Sequence, residues 1–136
     1  MKKNFSDIDF QKIFNIFNGN IFNVRVNKGG NISLDVKNLS DFNIKESVRK
    51  WYTGRSYVFY MTKDGILIRS VSKCKRGTSS IFPLNMNSFS RRGKRLWWDN
   101  KFYYSYSTKL SSFENVDDAI IYFIDYLYKY HNIINF

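Results

Sequence analysis

Between Arg69 and Tyr106 the chain sets cations among aromatic rings. Arg69, Lys73, Lys75 and Arg76 come first, then Arg91, Arg92, Lys94 and Arg95, and then Trp97, Trp98, Lys101, Tyr104 and Tyr106. Guanidinium and ammonium groups hold phosphate oxyanions through salt-sensitive contacts. Aromatic rings stack on unpaired bases for about 1–3 kcal/mol each. No Asp or Glu occurs from Gly65 to Trp98, so nothing close in sequence neutralises these cations. The thirteen residues form the expected binding set for a nucleic acid, with the Arg91–Arg95 cluster as its basic arm. The alternative for the rings is a packed core with arginine stems lying over it.

The groups that catalysis needs are scarce. There is one histidine, His131, and one cysteine, Cys74, too few for a zinc site of the usual kinds. His131 falls at the end of the last predicted helix, where a cation suits the dipole, so it is expected to cap that helix. Cys74 lies between Lys73 and Lys75, which lower a thiol pKa, yet no base of the right kind is near in sequence to make it a nucleophile. No glycine-rich phosphate loop of Walker or Rossmann spacing occurs. The triplet Asp35-Val36-Lys37 resembles one part of the metal-dependent PD-(D/E)xK nuclease core. That core needs a further acid on a preceding strand, whereas Asp7 and Asp9 fall on a predicted helix. Asp35 is therefore expected as an ordinary solvated residue. A small metal-free ribonuclease working with Arg, Lys, Tyr and a lone His is compatible with the composition.

The balance of charge supports the same class of partner. The net charge is +11. Residues 1–62 contribute +5, residues 63–109 contribute +9 and residues 110–136 contribute −3. A concentrated positive region favours a polyanion. Asn, Ile, Lys, Phe and Tyr supply 66 of the 136 residues, against a single Ala and a single Pro. These five have AT-rich codons, which points to an AT-rich bacterial, phage or mobile-element gene and inflates lysine. It does not explain why Glu occurs only at Glu46 and Glu114. A non-enzymatic nucleic-acid-binding protein without a cofactor is the first expectation, RNA and DNA both being open. The second is a phage-encoded, anti-CRISPR-like inhibitor of a host nucleoprotein complex, since cations and aromatics also make interface hot spots. Asp117 and Asp118 stand where double-stranded RNA-binding domains carry lysines, which disfavours that family. The lone cysteine, the lack of an apolar run long enough to span a bilayer and a non-apolar N-terminus give a cytoplasmic, reducing setting as the expectation, with no membrane contact.

These residues must be placed by a small set of elements. Ser6 or Asp7 caps a first helix whose Phe10, Ile13, Phe14 and Phe17 share a face, with Gly19 just past its end. A hairpin follows, and a Lys28-Gly29-Gly30 loop pairs Val26 with Ile32, Val24 with Leu34 and Phe22 with Val36. That register leaves Asn23, Arg25, Ser33 and Asp35 on a wet face. A short helix is predicted to end near Gly54. A second hairpin turns around Asp64-Gly65, and its strands are apolar on both faces, which suits the middle of a sheet. A basic connection covers 74–93, with a short strand near Ile81–Leu84. If Asp99-Asn100 is a two-residue turn, Trp98 faces Lys101, Trp97 faces Phe102, Leu96 faces Tyr103 and Arg95 faces Tyr104. Trp97 and Trp98 then point to opposite sides. Asn115 caps a final helix with Val116, Ile120, Phe123, Ile124 and Leu127 on its stripe. The expected fold is α+β: one domain (residues 1–136) with an antiparallel sheet of about five to six strands between terminal helices.

Overall fold

The structure, a computed structural model, describes residues 4–44, 52–75, 94–98 and 101–136. Of Tyr52, Cys74, Lys75, residues 94–98 and residues 101–106 it describes the strand path and not the side chains. The chain forms helix α1 (Asp7–Phe17), strands β1 (Phe22–Val26) and β2 (Ile32–Val36), and a 3-10 turn at Leu39–Asp41. Strands β3 (Tyr52–Thr62), β4 (Gly65–Lys75), β5 (Lys94–Trp98) and β6 (Lys101–Phe113) follow, then helix α2 (Val116–His131). All strand pairs are antiparallel, in the order β1-β2-β3-β4-β6-β5. This is the α+β fold that the sequence leads one to expect, with the doubly apolar strands β3 and β4 at its centre.

The ends of the elements follow from local chemistry. Ser6 accepts a hydrogen bond from the Asp9 amide at 3.1 Å and so caps α1. Gly19 does follow the Asn18 cap, but for another reason than a left-handed turn. A Cβ at residue 19 would lie 2.5 Å from the Phe136 carbonyl oxygen. That carbonyl accepts from the Asn20 and Ile21 amides, so the tail of the chain closes over the first loop. The first hairpin has the expected register, Phe22 with Val36, Val24 with Leu34 and Val26 with Ile32. Gly30 takes the left-handed position, at φ 78°. In the second hairpin Thr62 pairs with Gly65, so the two loop residues are Lys63 and Asp64. Thr62 holds that loop by donating to the Gly65 carbonyl at 2.9 Å and accepting from the Asp64 amide at 3.2 Å.

Two expectations are corrected. Gly54 does not end a helix: it lies in β3, next to an irregularity in the pairing with β4 where Tyr52 matches Cys74 and Gly54 matches Lys73. Residues 45–51, the rest of that predicted helix, and the strand near Ile81–Leu84 lie outside the described residues. In α2 the buried stripe runs through Val116, Ala119, Ile120, Phe123 and Leu127, while Ile124 is 38 % exposed. The stripe is centred on the 3–4–3–4 rows, and Ile124 falls to one side of them. Asn115 caps α2 as expected, accepting from the Asp118 amide at 2.9 Å.

Both helices pack on one face of the sheet. Their apolar residues join Phe22, Leu34, Phe42, Tyr57, Phe59 and Ile68 in a single buried cluster. Phe123 is its hub, with ring centroids 5.1 Å from Tyr57, 5.4 Å from Phe17, 5.5 Å from Phe59 and 6.0 Å from Phe22. Truncating Phe123 removes one side of four edge or tilted ring contacts at once and leaves a cavity. Phe123→Ala is therefore expected to cost about 3–5 kcal/mol in urea unfolding. Ile121→Ala, at a position 65 % exposed, should stay within about 0.5 kcal/mol. Equal losses at the two sites would contradict the one-sided core.

Candidate nucleic-acid interface

Because side chains alternate along a strand, residues between the core positions project to the face that carries neither helix. On β2 these are Ser33 and Asp35, and on β3 they are Ser56, Val58 and Tyr60. On β4 they are Leu67, Arg69, Val71 and Lys73, and on β6 Ser107 and Lys109. The register aligns them in rows: Ser33 with Val58, Val58 with Arg69, and Arg69 with Lys109. The next row runs from Asp35 through Ser56 and Val71 to Ser107. Beyond it Gly54 matches Lys73, Lys73 matches Ser105 and Ser105 matches Lys94.

Arg69 and Lys109 are thus directly opposed like charges, an arrangement that destabilises a sheet. Arg69 donates to the Ser107 hydroxyl at 3.5 Å and, among the described residues, pairs with no carboxylate. Among the described residues the ion pairs are Lys12–Asp117, Arg25–Asp35 and Lys129–Asp125. Arg69, Lys73 and Lys109 enter none of them. Lys73 and Lys109 are exposed, and Arg69 is half-buried. Among the described residues these three cations are thus without an acid partner, and the rows of the face run across β2, β3, β4 and β6.

Of the predicted site residues, the structure brings Arg69 and Lys73 together on this face. Lys75, Lys94, Arg95, Trp97, Trp98, Lys101, Tyr104 and Tyr106 lie on β4, β5 and β6, with backbone positions described and side chains not. The pairing is the expected one: Trp98 with Lys101, Trp97 with Phe102, Leu96 with Tyr103 and Arg95 with Tyr104. Which tryptophan meets the core lies outside the described residues, as do Arg76, Arg91 and Arg92. Lys109 joins the face without being named for it from the sequence, and Arg25 lies on it as the first hairpin's register leads one to expect, though not named as a binding residue. A signal for Lys109 was available in the period-two alternation along β6, which places it on the same side as Ser107.

Asp35 corrects a further expectation. It is not an ordinary solvated side chain. Its Oδ2 accepts from Arg25 Nε at 2.6 Å, and its Oδ1 accepts from Ser33 Oγ at 2.9 Å and Ser56 Oγ at 2.6 Å. Burial pushes the carboxyl up, but the hydrogen bonds from Arg25, Ser56 and Ser33, with the Arg25 charge, outweigh it and hold the pKa below its ordinary value. Ser33 itself is buried rather than wet, because its short side chain lies between the longer Arg25 and Val58. Asp7 and Asp9 stay on α1, and among the described residues no three His, Cys, Asp or Glu come together to hold a metal. Among the described residues the nuclease-like triplet therefore has no partner acid.

His131 does not cap α2 as a cation. Asn132, left-handed at φ 55°, closes that helix, and Lys129 supplies the positive charge of its last turn. The imidazole is buried against Phe42 and Tyr126, and its Nδ1 accepts from the Asn43 amide at 3.0 Å. Burial, with the Arg55 charge second, pushes its pKa down to about 4, so the ring is neutral. With Nδ1 unprotonated, Nε2 carries the hydrogen and donates to the Tyr57 hydroxyl at 3.3 Å. Both ring nitrogens are thus engaged in hydrogen bonds within the fold.

The fold defines the class in broad terms: an α+β protein whose antiparallel sheet has both helices on one side, with Arg25, Arg69, Lys73 and Lys109 on the other. No family model matches the chain, and no curated protein or solved structure is significantly similar to it. Among the described residues no helix is long and apolar enough to cross a membrane.

The neutral His131 makes a pH prediction. Unfolded histidine titrates near 6.5 and folded His131 near 4, so the unfolded chain alone takes up the proton between those values. Stability should be full above pH 6.5, fall through this window with a slope bounded by one proton (about 1.4 kcal/mol per pH unit), and level off for this group below pH 4. Urea midpoints measured at steps across the window should show the fall, and His131→Gln should remove it. Wild-type midpoints that stay flat would contradict a buried neutral ring.

Proposed function

We propose that this chain is a non-enzymatic nucleic-acid-binding protein that lays the helix-free face of its sheet against phosphates. The observation that carries this reading is the row in which Arg69 opposes Lys109, with Lys73 two rows further along β4 on the same face and, among the described residues, no acid paired to any of them. Three like charges on one face repel each other in the free protein, and a polyanion relieves that repulsion while releasing its counterions. Further candidate phosphate contacts in the sequence are Lys75, Arg76, Arg91, Arg92, Lys94, Arg95 and Lys101. Trp97, Trp98, Tyr104 and Tyr106 are the candidates for stacking. No cofactor enters the reading. The AT-rich residue usage supports a phage or mobile-element source.

The lone histidine speaks against the ribonuclease reading, because it is buried, neutral and hydrogen-bonded through both nitrogens. An inhibitor that works through a guide or target strand would use the same basic face. One that works through protein contacts alone would not need it.

The test is affinity for labelled single- and double-stranded RNA and DNA across a salt series. Binding should weaken steeply with salt. Replacing Arg69, Lys73 and Lys109 together by Ala should lower the slope of log K against log salt by about two to three, since each phosphate left without its cation accounts for one unit or slightly less. No binding to any nucleic acid would overturn the proposal in favour of a protein target. Binding with an unchanged slope in the triple variant would move the interface off this face.

A further inference from the structure

Asp35 is the one described acid on the helix-free face of the strands, and as a bare charge it works against binding a polyanion. Its contacts give it another role. Four donors surround the carboxylate: Arg25 Nε at 2.6 Å, Arg25 Nη2 at 3.5 Å, Ser33 Oγ at 2.9 Å and Ser56 Oγ at 2.6 Å. Little of its acceptor capacity is left for a ligand. Arg25 is in the converse position. It gives Asp35 one edge of a guanidinium that has five N–H donors, and its side chain is 54 % exposed. The same two residues, with Ser56, Val71 and Lys73, line a depression of about 230 Å³ on the sheet. Arg55 also lines it, but its guanidinium reaches Ser72 and Tyr57 on the opposite face, so Arg25 and Lys73 supply its positive charge.

We infer that this depression is a subsite for one backbone phosphodiester, in which Arg25 donates to the phosphate oxygens, Lys73 adds a second charge and Asp35 is a positioning residue that holds the guanidinium in place. The inference rests on the nucleic-acid reading above and deepens it. A fixed planar fork matches an oxyanion with two parallel bonds and loses less side-chain entropy on binding than a free arginine does. The acid is thus retained among cations because it organises one of them. Ser33 and Ser56 anchor the acid in turn, so the chain Ser56–Asp35–Arg25 spans three strands.

Asp35→Asn makes the test sharp, because the two accounts of the residue differ in sign. The variant keeps the shape and an acceptor for the serines while adding one unit to the net charge. Simple electrostatics expects tighter binding. The positioning role expects affinity for a labelled oligonucleotide to fall about fivefold, the cost of ordering one freed side chain. In an Arg25→Ala background the same change should instead tighten binding, since only the charge effect remains. Wild-type-like or tighter binding by Asp35→Asn alone would overturn the inference while leaving the nucleic-acid reading intact. Should Asp35→Asn lose its thermal transition, Ser56→Ala leaves the charge in place and should weaken binding in the same direction; unchanged affinity there would count against the inference. If the wild type binds no oligonucleotide, inorganic phosphate decides the subsite by itself. A saturable shift of the Arg25 Nε–H resonance supports it, and an unmoved resonance overturns it.

Discussion

The whole arrangement depends on an aromatic core built on one side of a sheet. Phe123 carries it, reaching Phe17 of α1, Phe22 of β1 and Tyr57 and Phe59 of β3 from the middle of α2. Once two helices are held against that face, the alternation of side chains leaves no freedom over what appears on the other. Ile66 and Ile68 must point at the helices, so Arg69 cannot. The closing contacts serve the same end. The C-terminal carbonyl of Phe136 takes the Asn20 and Ile21 amides, and Asn18 takes the Val24 amide, which ties α1 to the edge strand β1. That side chain also occupies part of an edge that would otherwise present free backbone groups.

The two faces consequently have different electrostatic characters. On the helix side the polar groups are satisfied in pairs: His131 with Asn43 and Tyr57, Arg55 with Ser72 and Tyr57. The Tyr126 phenol there is pushed up by burial and by its neighbour Tyr57, so it stays neutral. On the other side, among the described residues, Arg69, Lys73 and Lys109 pair with no acid, and the one acid of the strands, Asp35, is committed to Arg25. Opposed like charges lower the stability of a sheet by a fraction of a kcal/mol. A face that tolerates this cost is readily explained as a surface completed by a ligand, which is the sense in which the charge pattern bears on function.

What could be read from the sequence was what is local. The registers of the first and third hairpins follow from period-two patterning and turn residues within a dozen positions, and both are found in the structure; the second hairpin is found too, with Lys63 and Asp64 as its loop residues. The caps at Ser6 and Asn115 are equally local. What could not be read depends on partners far along the chain. His131 looked like a charged cap because its burying partners, Asn43 and Tyr57, lie 88 and 74 residues away. Asp35 looked solvated because Ser56 comes 21 residues later. Gly54 looked like a helix end because a strand there is made by pairing with β4, and nothing in its neighbours announces that. The basic residues were visible, but the face that gathers Arg25, Arg69, Lys73 and Lys109 appears only when five strands, β1, β2, β3, β4 and β6, are aligned.

The central claim is that binding and core occupy opposite sides of the sheet. Backbone amide resonances followed during titration with a short single-stranded oligonucleotide test it most directly. The account predicts shifts concentrated at Arg25, Asp35, Ser56, Arg69, Val71, Lys73, Ser107 and Lys109, with the exposed positions of α1 and α2, such as Ile8 and Ile121, unmoved. Shifts centred on the helices, with the strand rows silent, would contradict it.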